Sequence, residues 1–303
     1  MRFPRFVLFV VCLFLAAFHT LASADIDRGP VATVSYPLGN ASLYDFRSEK
    51  AGRDLQILVS LPGSYGESAG RRYPVIYAVD GQWHFSLAGA AAGALHYDRG
   101  WPESIVVGIT WKGTVQDAER LRYQDFTPTT IEGAPETGRA DRYLDFLEEE
   151  LIPYMAEHYQ VSDDRVLMGS SLGGLLSLYC LFTRPELFSD YIASTPATWW
   201  DNNVLDRYRK AFDGNALKQP KRLYVSRGES EHIMQAGADT MAAQLQKADF
   251  ANLEVAFATV PGTGHAALNP EVITRGLQFI FRKEWVPLTE GQRQEFAGSF
   301  EAE

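Results

Sequence analysis

The sequence predicts an α/β fold with a mostly parallel central sheet, helices on both faces and an antiparallel N-terminal portion. The stretch Tyr73–Val79 is almost wholly apolar, which is typical of a strand buried on both faces of a helix-covered sheet. Beyond it, strand-like and helix-like stretches alternate to near the C-terminus, as in repeated βα units. The earlier stretches read as strands without helices between them, which favours antiparallel pairing at that end.

The strands are predicted from β-branched or continuous apolar runs that end at turn residues. The run at 55–61, for example, is followed by Pro62 and Gly63. The predicted strands cover residues 31–36, 55–61, 73–79, 104–109, 165–168, 190–194, 222–225 and 253–260.

The helices are predicted from apolar residues at helical spacing. Leu144, Leu147 and Leu151 lie on one face of such a segment. The predicted helices cover residues 83–96, 140–159, 172–182, 203–212, 232–248 and 271–281.

The first 24 residues are predicted to be a cleaved secretory signal peptide. Arg2 and Arg5 precede an apolar run over 6–18, and Ala22-Ser23-Ala24 offers small residues for cleavage after Ala24. The alternative is a membrane anchor, but a helix that spans a bilayer needs about 20 apolar residues, and the run over 6–18 is shorter than that. We therefore expect no membrane span after cleavage and a bacterial periplasmic location. Residues 25–290 are expected to form one catalytic domain, followed by a polar tail at 291–303.

Composition and charge limit the range of possible functions and partners. The chain has 303 residues, 46% of them hydrophobic, and a formal net charge of −10. Without the predicted signal peptide the balance is 26 basic against 38 acidic residues, a net charge of −12. Such an acidic surface disfavours nucleic acid as a partner. With Cys12 removed, Cys180 is the single cysteine, so no internal disulfide is expected.

A nucleophile is predicted at Ser171, because Gly169-Ser170-Ser171-Leu172-Gly173 matches G-x-S-x-G between a predicted strand and a predicted helix. In that setting the serine sits on a sharp turn, and the helix N-terminus directs amide donors towards it. The Leu172 N–H is the expected first oxyanion donor. The alternative is a glycine-rich turn without chemistry.

A serine hydroxyl needs a base, and His265 is the predicted one. It stands in the loop Pro261-Gly262-Thr263-Gly264-His265, after the last predicted strand and before the last helix. A surface loop histidine is the alternative. The other histidines after residue 24 are interpreted as helix or surface residues. This interpretation is weakest for His84, because it follows Asp80-Gly81.

A carboxylate should orient the imidazole, and Glu231 is the first choice. Glu229 is the second, since both follow the predicted strand at 222–225 and give the order Ser, acid, His. Asp201 is third, with helix N-capping as its alternative role. Alternatively, either glutamate could simply place a negative charge in the first turn of the following helix, where it interacts favourably with the helix dipole.

A second oxyanion donor is predicted from the loop after another central strand, at the Gln82 N–H within Asp80-Gly81-Gln82. No metal or other cofactor is implied, because no histidine or cysteine grouping has ligand spacing.

These residues resemble the "putative esterase" branch of the α/β-hydrolase fold, which includes siderophore esterases, S-formylglutathione hydrolases, feruloyl esterases and mycolyltransferases. The siderophore (enterochelin) esterase-like group is the most similar. The resemblance implies Ser171 as nucleophile, His265 as base, and the Gln82 and Leu172 amides as oxyanion donors. The acid position varies within the family, and some siderophore esterases manage with serine and histidine alone. The matching stretches are 73–77, 80–82, 105–109, Arg122 with 125–128, 169–174, 199–201, 264–265 and 276–281.

Three more residues are predicted near the substrate. Trp199 and Trp200 follow the strand at 190–194 and either stack on a substrate ring or plug the core. Arg122 either binds an anionic group or is solvated or salt-bridged.

The expected function is that of an exported serine carboxylic-ester hydrolase acting through an acyl-enzyme on a small-molecule ester, with siderophore-type esters favoured by the resemblance. An acyltransferase using the same residues and a catalytically silent binding domain are the alternatives. The sequence does not determine the oligomeric state.

Overall fold

The computed structural model describes residues 41–98, 101–231 and 235–282. The predicted signal peptide at 1–24, the strand at 31–36 and the tail at 291–303 lie outside these ranges. In the described ranges, no helix is both long and apolar enough to cross a bilayer.

One eight-stranded sheet organises the described chain, in the order β1-β2-β4-β3-β5-β6-β7-β8. The first three strands in that order pair antiparallel, and the rest pair parallel. The predicted fold class is therefore confirmed, including its antiparallel N-terminal portion. The strands are β1 Ala41–Ser48, β2 Arg53–Ser60, β3 Tyr73–Val79, β4 Ile105–Trp111, β5 Val161–Ser170, β6 Asp190–Ser194, β7 Lys221–Gly228 and β8 Leu253–Val260.

Helices cover both faces of this sheet. A π-helical turn, Leu147–Leu151, joins α3 to α4, so the helix predicted at 140–159 contains one wider turn. The helices are α1 Gly81–Tyr97, α2 Val115–Asp125, α3 Ala140–Phe146, α4 Ile152–His158, α5 Leu172–Thr183, α6 Trp200–Asn203, α7 Leu205–Ala211, α8 Gln235–Ala248 and α9 Asn269–Phe281.

The core has two parts, one on each side of the sheet. Phe85 and Ala88 of α1 and Leu277 of α9 cover one face. Helices α3, α4, α5 and α8 cover the other, where Leu175 and Leu178 are fully buried. Strand β3 contributes to both clusters, because alternate side chains point to opposite faces. This explains why its sequence shows no polar alternation.

The predicted helix at 203–212 begins later, at Leu205. Asp201, Asn202 and Asn203 have φ angles of 43°, 53° and 63°, which place three successive residues in the left-handed region. Asparagine and aspartate tolerate that region better than most residues. The short element α6 is therefore a left-handed turn and not a regular right-handed helix. Asp201 belongs to this turn, and the N-cap of α7 is Val204.

Candidate active site

The site lies at the carboxyl ends of the central parallel strands, where Ser171 occupies the turn from β5 into α5. Its backbone has φ 58° and ψ −116°, a combination that costs free energy for a residue with a side chain. Its N–H donates to the Ser194 carbonyl (3.0 Å), and its own carbonyl accepts from the Ala197 N–H (3.0 Å). The strained serine is thus fixed by the neighbouring strand β6 and the loop after it.

Gly169 permits this tight turn. A Cβ placed there would overlap the carbonyl carbon of Gly173 in the first turn of α5 and lie 2.7 Å from Val79 Cγ2. The strand and the helix approach each other so closely that only glycine fits. The glycine that the motif places two residues before Ser171 is therefore a steric requirement.

Two helix N-termini meet beside Ser171. Strands β3 and β5 are neighbouring parallel strands, with Ala78 opposite Met168, so α1 and α5 begin side by side. Gln82 is the second residue of α1 and Leu172 the first residue of α5. First-turn amides have no acceptor within their own helix and carry the positive end of its dipole. Both amides are therefore available to a developing negative charge.

The structure brings His265 and Glu231 into contact. His265 Nδ1 donates a short hydrogen bond to Glu231 Oε1. Glu231 is only 7% exposed, whereas 41% of the His265 side chain is accessible. Because Nδ1 carries the proton in this bond, Nε2 of the neutral ring is an unprotonated acceptor.

Two further hydrogen bonds hold the Glu231 carboxylate. Thr195 Oγ1 donates to Oε1 (2.6 Å), and the Gly228 N–H donates to Oε2 (2.7 Å). Burial opposes ionisation of this carboxyl, but these two hydrogen bonds and the one from His265 outweigh it and lower the pKa of Glu231. The carboxylate is therefore held ionised next to the imidazole.

Glu229, the second choice for the acid, lies elsewhere. Its Oε2 accepts the Gly262 N–H (2.8 Å) in the loop that leads to His265. Glu231 is therefore the glutamate that accepts from the His265 imidazole, whereas Glu229 accepts from the backbone of the loop before it.

Ser171 and His265 line the same cavity, which has a volume of about 440 Å³. Among the hydrogen bonds that the described residues make, none joins the Ser171 and His265 side chains directly. The cavity wall is apolar at five positions and polar at six besides Ser171. The other lining residues are Trp83, His84, Leu87, Glu119, Arg122, Ser170, Ala266, Ala267, Asn269 and Pro270.

Arg122 reaches the cavity as half of a buried ion pair. Its Nε and one terminal nitrogen donate to the two oxygens of Asp80 (3.0 and 2.7 Å), and the same terminal nitrogen lies 3.3 Å from the Ser170 carbonyl. Burial disfavours its charge, but Asp80 more than offsets this and raises the pKa of Arg122. The salt-bridged alternative is therefore the one found, and a substrate anion would have to compete with Asp80.

The two tryptophans have different positions. Trp200 is 2% exposed and donates from its indole N–H to the Thr129 carbonyl (3.2 Å), so the core-plugging alternative is correct for it. The Trp200 ring is sealed from solvent, so it offers no surface to a substrate in this structure. Trp199 is 45% exposed, with its ring centroid 6.0 Å from that of Trp200. Neither is among the described residues that line the Ser171 cavity.

Sequence reasoning missed Thr195 and the role of Asp80. Thr195 has a φ of 39°, which is unusual for a β-branched residue, and it is 2% exposed. Asp80 is completely buried and pairs with Arg122. Asp80 could have been found from its place at the end of a fully apolar strand, where a buried carboxylate requires a partner. No local sequence signal marks Thr195.

Comparison with known proteins assigns the family. The family model described as "Putative esterase" matches residues 48–266. The chain belongs to this esterase family. It is accordingly an esterase, a hydrolase of carboxylic esters, and the resemblance seen in the sequence is confirmed.

Named relatives and a solved structure show the same relationship. The chain is 28% identical over 267 residues to ferri-bacillibactin esterase BesA of Bacillus subtilis (strain 168), covering 80% of this chain and 90% of that protein. It is 37% identical over 183 residues to the siderophore triacetylfusarinine C esterase of Aspergillus fumigatus, covering 58% of this chain and 62% of that protein. The crystal structure of the BES protein from Bacillus cereus has a TM-score of 0.77 at 27% identity, covering 84% of this chain and all of that one.

Proposed function

We propose that this protein is an exported serine esterase in which Ser171, His265 and Glu231 form the catalytic triad. The observation that carries the proposal is that Ser171, on its strained turn, shares a cavity with His265, whose other side is held by Glu231. The order Ser, acid, His along the chain agrees with this family of folds.

In the proposed mechanism, His265 Nε2 takes the proton from Ser171 Oγ as this oxygen attacks the ester carbonyl. The backbone N–H groups of Gln82 and Leu172 donate to the resulting oxyanion. The imidazolium returns its proton to the leaving alkoxide as the C–O bond breaks, which leaves an acyl-enzyme. Water then attacks the acyl carbon while His265 accepts its proton. The imidazolium returns that proton to Ser171 Oγ as the acyl C–O bond breaks, which releases the carboxylic acid and restores the free serine. Glu231 stabilises the imidazolium and fixes the ring tautomer.

The proposed substrates are siderophore-type esters. Two relatives support this substrate class, since one is named a ferri-bacillibactin esterase and the other a siderophore triacetylfusarinine C esterase. The test is the rate of hydrolysis of a catecholate trilactone, iron-free and ferric, against a panel of plain acyl esters. Faster cleavage of the plain esters at equal concentration would reject this substrate class while leaving the esterase proposal intact.

Export to the periplasm is proposed from the predicted signal peptide at 1–24. The test compares the full chain with a chain beginning at residue 25, both expressed in a Gram-negative host and released by osmotic shock. We expect esterase activity in the shock fluid only for the full chain. Equal retention of both forms in the cytoplasm would refute export.

The triad is tested with Ser171→Ala and Ser177→Ala. Ser177 lies within α5, is buried, and donates its hydroxyl to the Gly173 carbonyl, so it controls for loss of a buried hydroxyl. We expect Ser171→Ala to lose activity on p-nitrophenyl acetate and labelling by a fluorophosphonate, while Ser177→Ala keeps both. An unchanged rate in folded Ser171→Ala would reject the proposal. Transfer of the acyl group to added alcohol in preference to water would indicate an acyltransferase.

A further inference from the structure

The cavity contains a second histidine that the proposed mechanism does not use. His84 lies in the first turn of α1, two residues after Gln82, and lines the cavity together with Ser171 and His265. It is only 4% exposed. A polar ring in this position requires an explanation, because burial of an imidazole costs free energy unless its nitrogens find partners.

One ring nitrogen of His84 has a partner in the protein. Nδ1 lies 3.0 Å from the Val79 carbonyl oxygen at the end of β3. A carbonyl oxygen only accepts, so Nδ1 carries the proton. In the neutral ring Nε2 is then an acceptor with an open lone pair, and its tautomer is fixed by the backbone.

The other nitrogen has no partner within the described ranges. Nε2 makes no hydrogen bond there. It also differs from the polar side-chain atoms that are sealed from solvent and unpaired, so it is accessible from the cavity. Because the ring lines the cavity, the space that Nε2 can reach is that of the bound substrate.

Several of the cavity residues around His84 are apolar or already hydrogen-bonded within the protein. Trp83 and Leu87, which flank His84 on α1, are apolar cavity residues, and so are Ala266, Ala267 and Pro270. Among the polar lining residues, Arg122 is engaged by Asp80, and the Asn269 side-chain oxygen accepts from Ser194 Oγ (2.9 Å). Glu119 is half exposed. His84 Nε2 is therefore a preoriented acceptor that opens onto the cavity, between apolar neighbours on α1.

We propose that His84 is a specificity-determining residue that accepts a hydrogen bond from an O–H or N–H group of the ester, close to the scissile carbonyl. The proximity follows from the cavity, since the His84 side chain and Ser171, the proposed nucleophile, both line it. Esters that carry such a donor leave no buried acceptor unpaired. Esters that lack it bury Nε2 without a partner and are selected against. This inference rests on the proposed function and adds a substrate feature to it.

The test compares p-nitrophenyl glycolate, which has a hydroxyl beside the carbonyl, with p-nitrophenyl propionate, which has a methyl group there. His84→Asn is the informative variant, because its side-chain NH₂ can replace Nδ1–H at the Val79 carbonyl while no atom replaces Nε2. His84→Gln, whose side-chain oxygen reaches further, is the conservative variant. We expect the glycolate-to-propionate ratio of kcat/KM to fall about tenfold in His84→Asn and to recover in His84→Gln. Comparing ratios between enzymes cancels the intrinsic reactivity of the two esters.

An unchanged ratio in folded His84→Asn would overturn the proposal and leave His84 as a structural residue that holds α1 on β3. If His84→Asn does not fold, the wild type decides the matter. Its glycolate preference must exceed the ratio of the two esters' hydroxide-catalysed rates, and a preference no greater than that ratio overturns the proposal. Failure of the wild type to cleave either ester faster than Ser171→Ala would instead reject the proposed function.

Discussion

The carboxylate of Glu231 accepts a hydrogen bond from Nδ1 of His265, 34 residues further along the chain. The two residues come from loops after different strands, β7 and β8, which are parallel neighbours in the sheet. Their carboxyl ends therefore meet at the same edge. The contact between the two side chains requires a carboxylate, because both Glu231 oxygens act only as acceptors. Oε1 accepts from His265 and Thr195, and Oε2 accepts from the Gly228 N–H.

Glu231→Gln is expected to lower kcat by about 10²–10⁴-fold. Glutamine replaces one acceptor oxygen by an NH₂ group, which must face either the Gly228 N–H or the Nδ1–H of His265. Either arrangement sets a donor against a donor or turns the imidazole to the wrong tautomer. The measurement is steady-state hydrolysis of p-nitrophenyl acetate near pH 7.5.

Glu229→Gln is the matched control. Its side-chain oxygen can still accept the Gly262 N–H, so we expect kcat within about threefold of the wild type. Equal losses in both variants would mean that the two glutamates act on the loop that carries His265. No loss in Glu231→Gln would mean that serine and histidine suffice.

Thr195→Val is expected to lower kcat about tenfold with little change in KM, because it removes one donor from Glu231 and loosens the carboxylate that orients His265. Valine keeps the branched shape, so packing at this buried position is preserved. Thr195→Ser retains the hydroxyl and should keep most of the activity. If serine and valine are equally impaired, the threonine methyl group and not its hydroxyl is what matters.

Much of the fold was predictable because buried strands and amphipathic helices leave a periodic pattern. Strand β6 is found at the residues predicted for it. Strand β1 and helix α2 were missed, since seven of the eight β1 residues are at least partly exposed, and α2 is polar with four residues buried. The sequence does contain the start of α2, because Thr114 and Asp117 form a reciprocal capping box.

The site was predictable where a motif implies its own geometry. The strand, turn and helix around Ser171 follow from local glycine spacing. Sequence placed both Glu229 and Glu231 after β7, but only the path of the chain there decides which one reaches His265. Contacts between distant residues, such as Thr195 with Glu231 and Asp80 with Arg122, have no local signature.

Gly169→Ala is expected to destabilise the protein by at least about 3 kcal/mol, because its Cβ would overlap the Gly173 backbone and crowd Val79. Gly93→Ala is the control within α1, where a Cβ meets no atom within 4 Å. That change should stabilise the protein by about 0.5–1 kcal/mol, as expected for replacing an exposed helical glycine. Urea unfolding gives both values. A small cost for Gly169→Ala would show that strand β5 and helix α5 can separate.

Asp125 should make folding stability fall as pH rises from about 4 to about 7. Burial is the largest influence on this 2%-exposed carboxyl and raises its pKa from 3.8 to about 6, against the opposing effects of Arg53 and the Trp111 indole N–H (2.7 Å). The folded state therefore holds the proton more tightly than the unfolded chain does. Below pH 3.8 both states are protonated, and above pH 6 both are ionised, so the cost develops between these values.

The pKa difference corresponds to about 3 kcal/mol of stability. Asp125→Asn cannot ionise, so it lacks this pH-dependent cost, although it leaves Arg53 without its 3.1 Å carboxylate partner at every pH. Urea unfolding of both proteins at pH 4 and pH 7 isolates the effect, because the other titrating groups are common to both. We expect the wild type to lose stability relative to Asp125→Asn between the two values. A difference that stays constant, or one that changes in favour of the wild type, would mean that Arg53 keeps Asp125 ionised throughout.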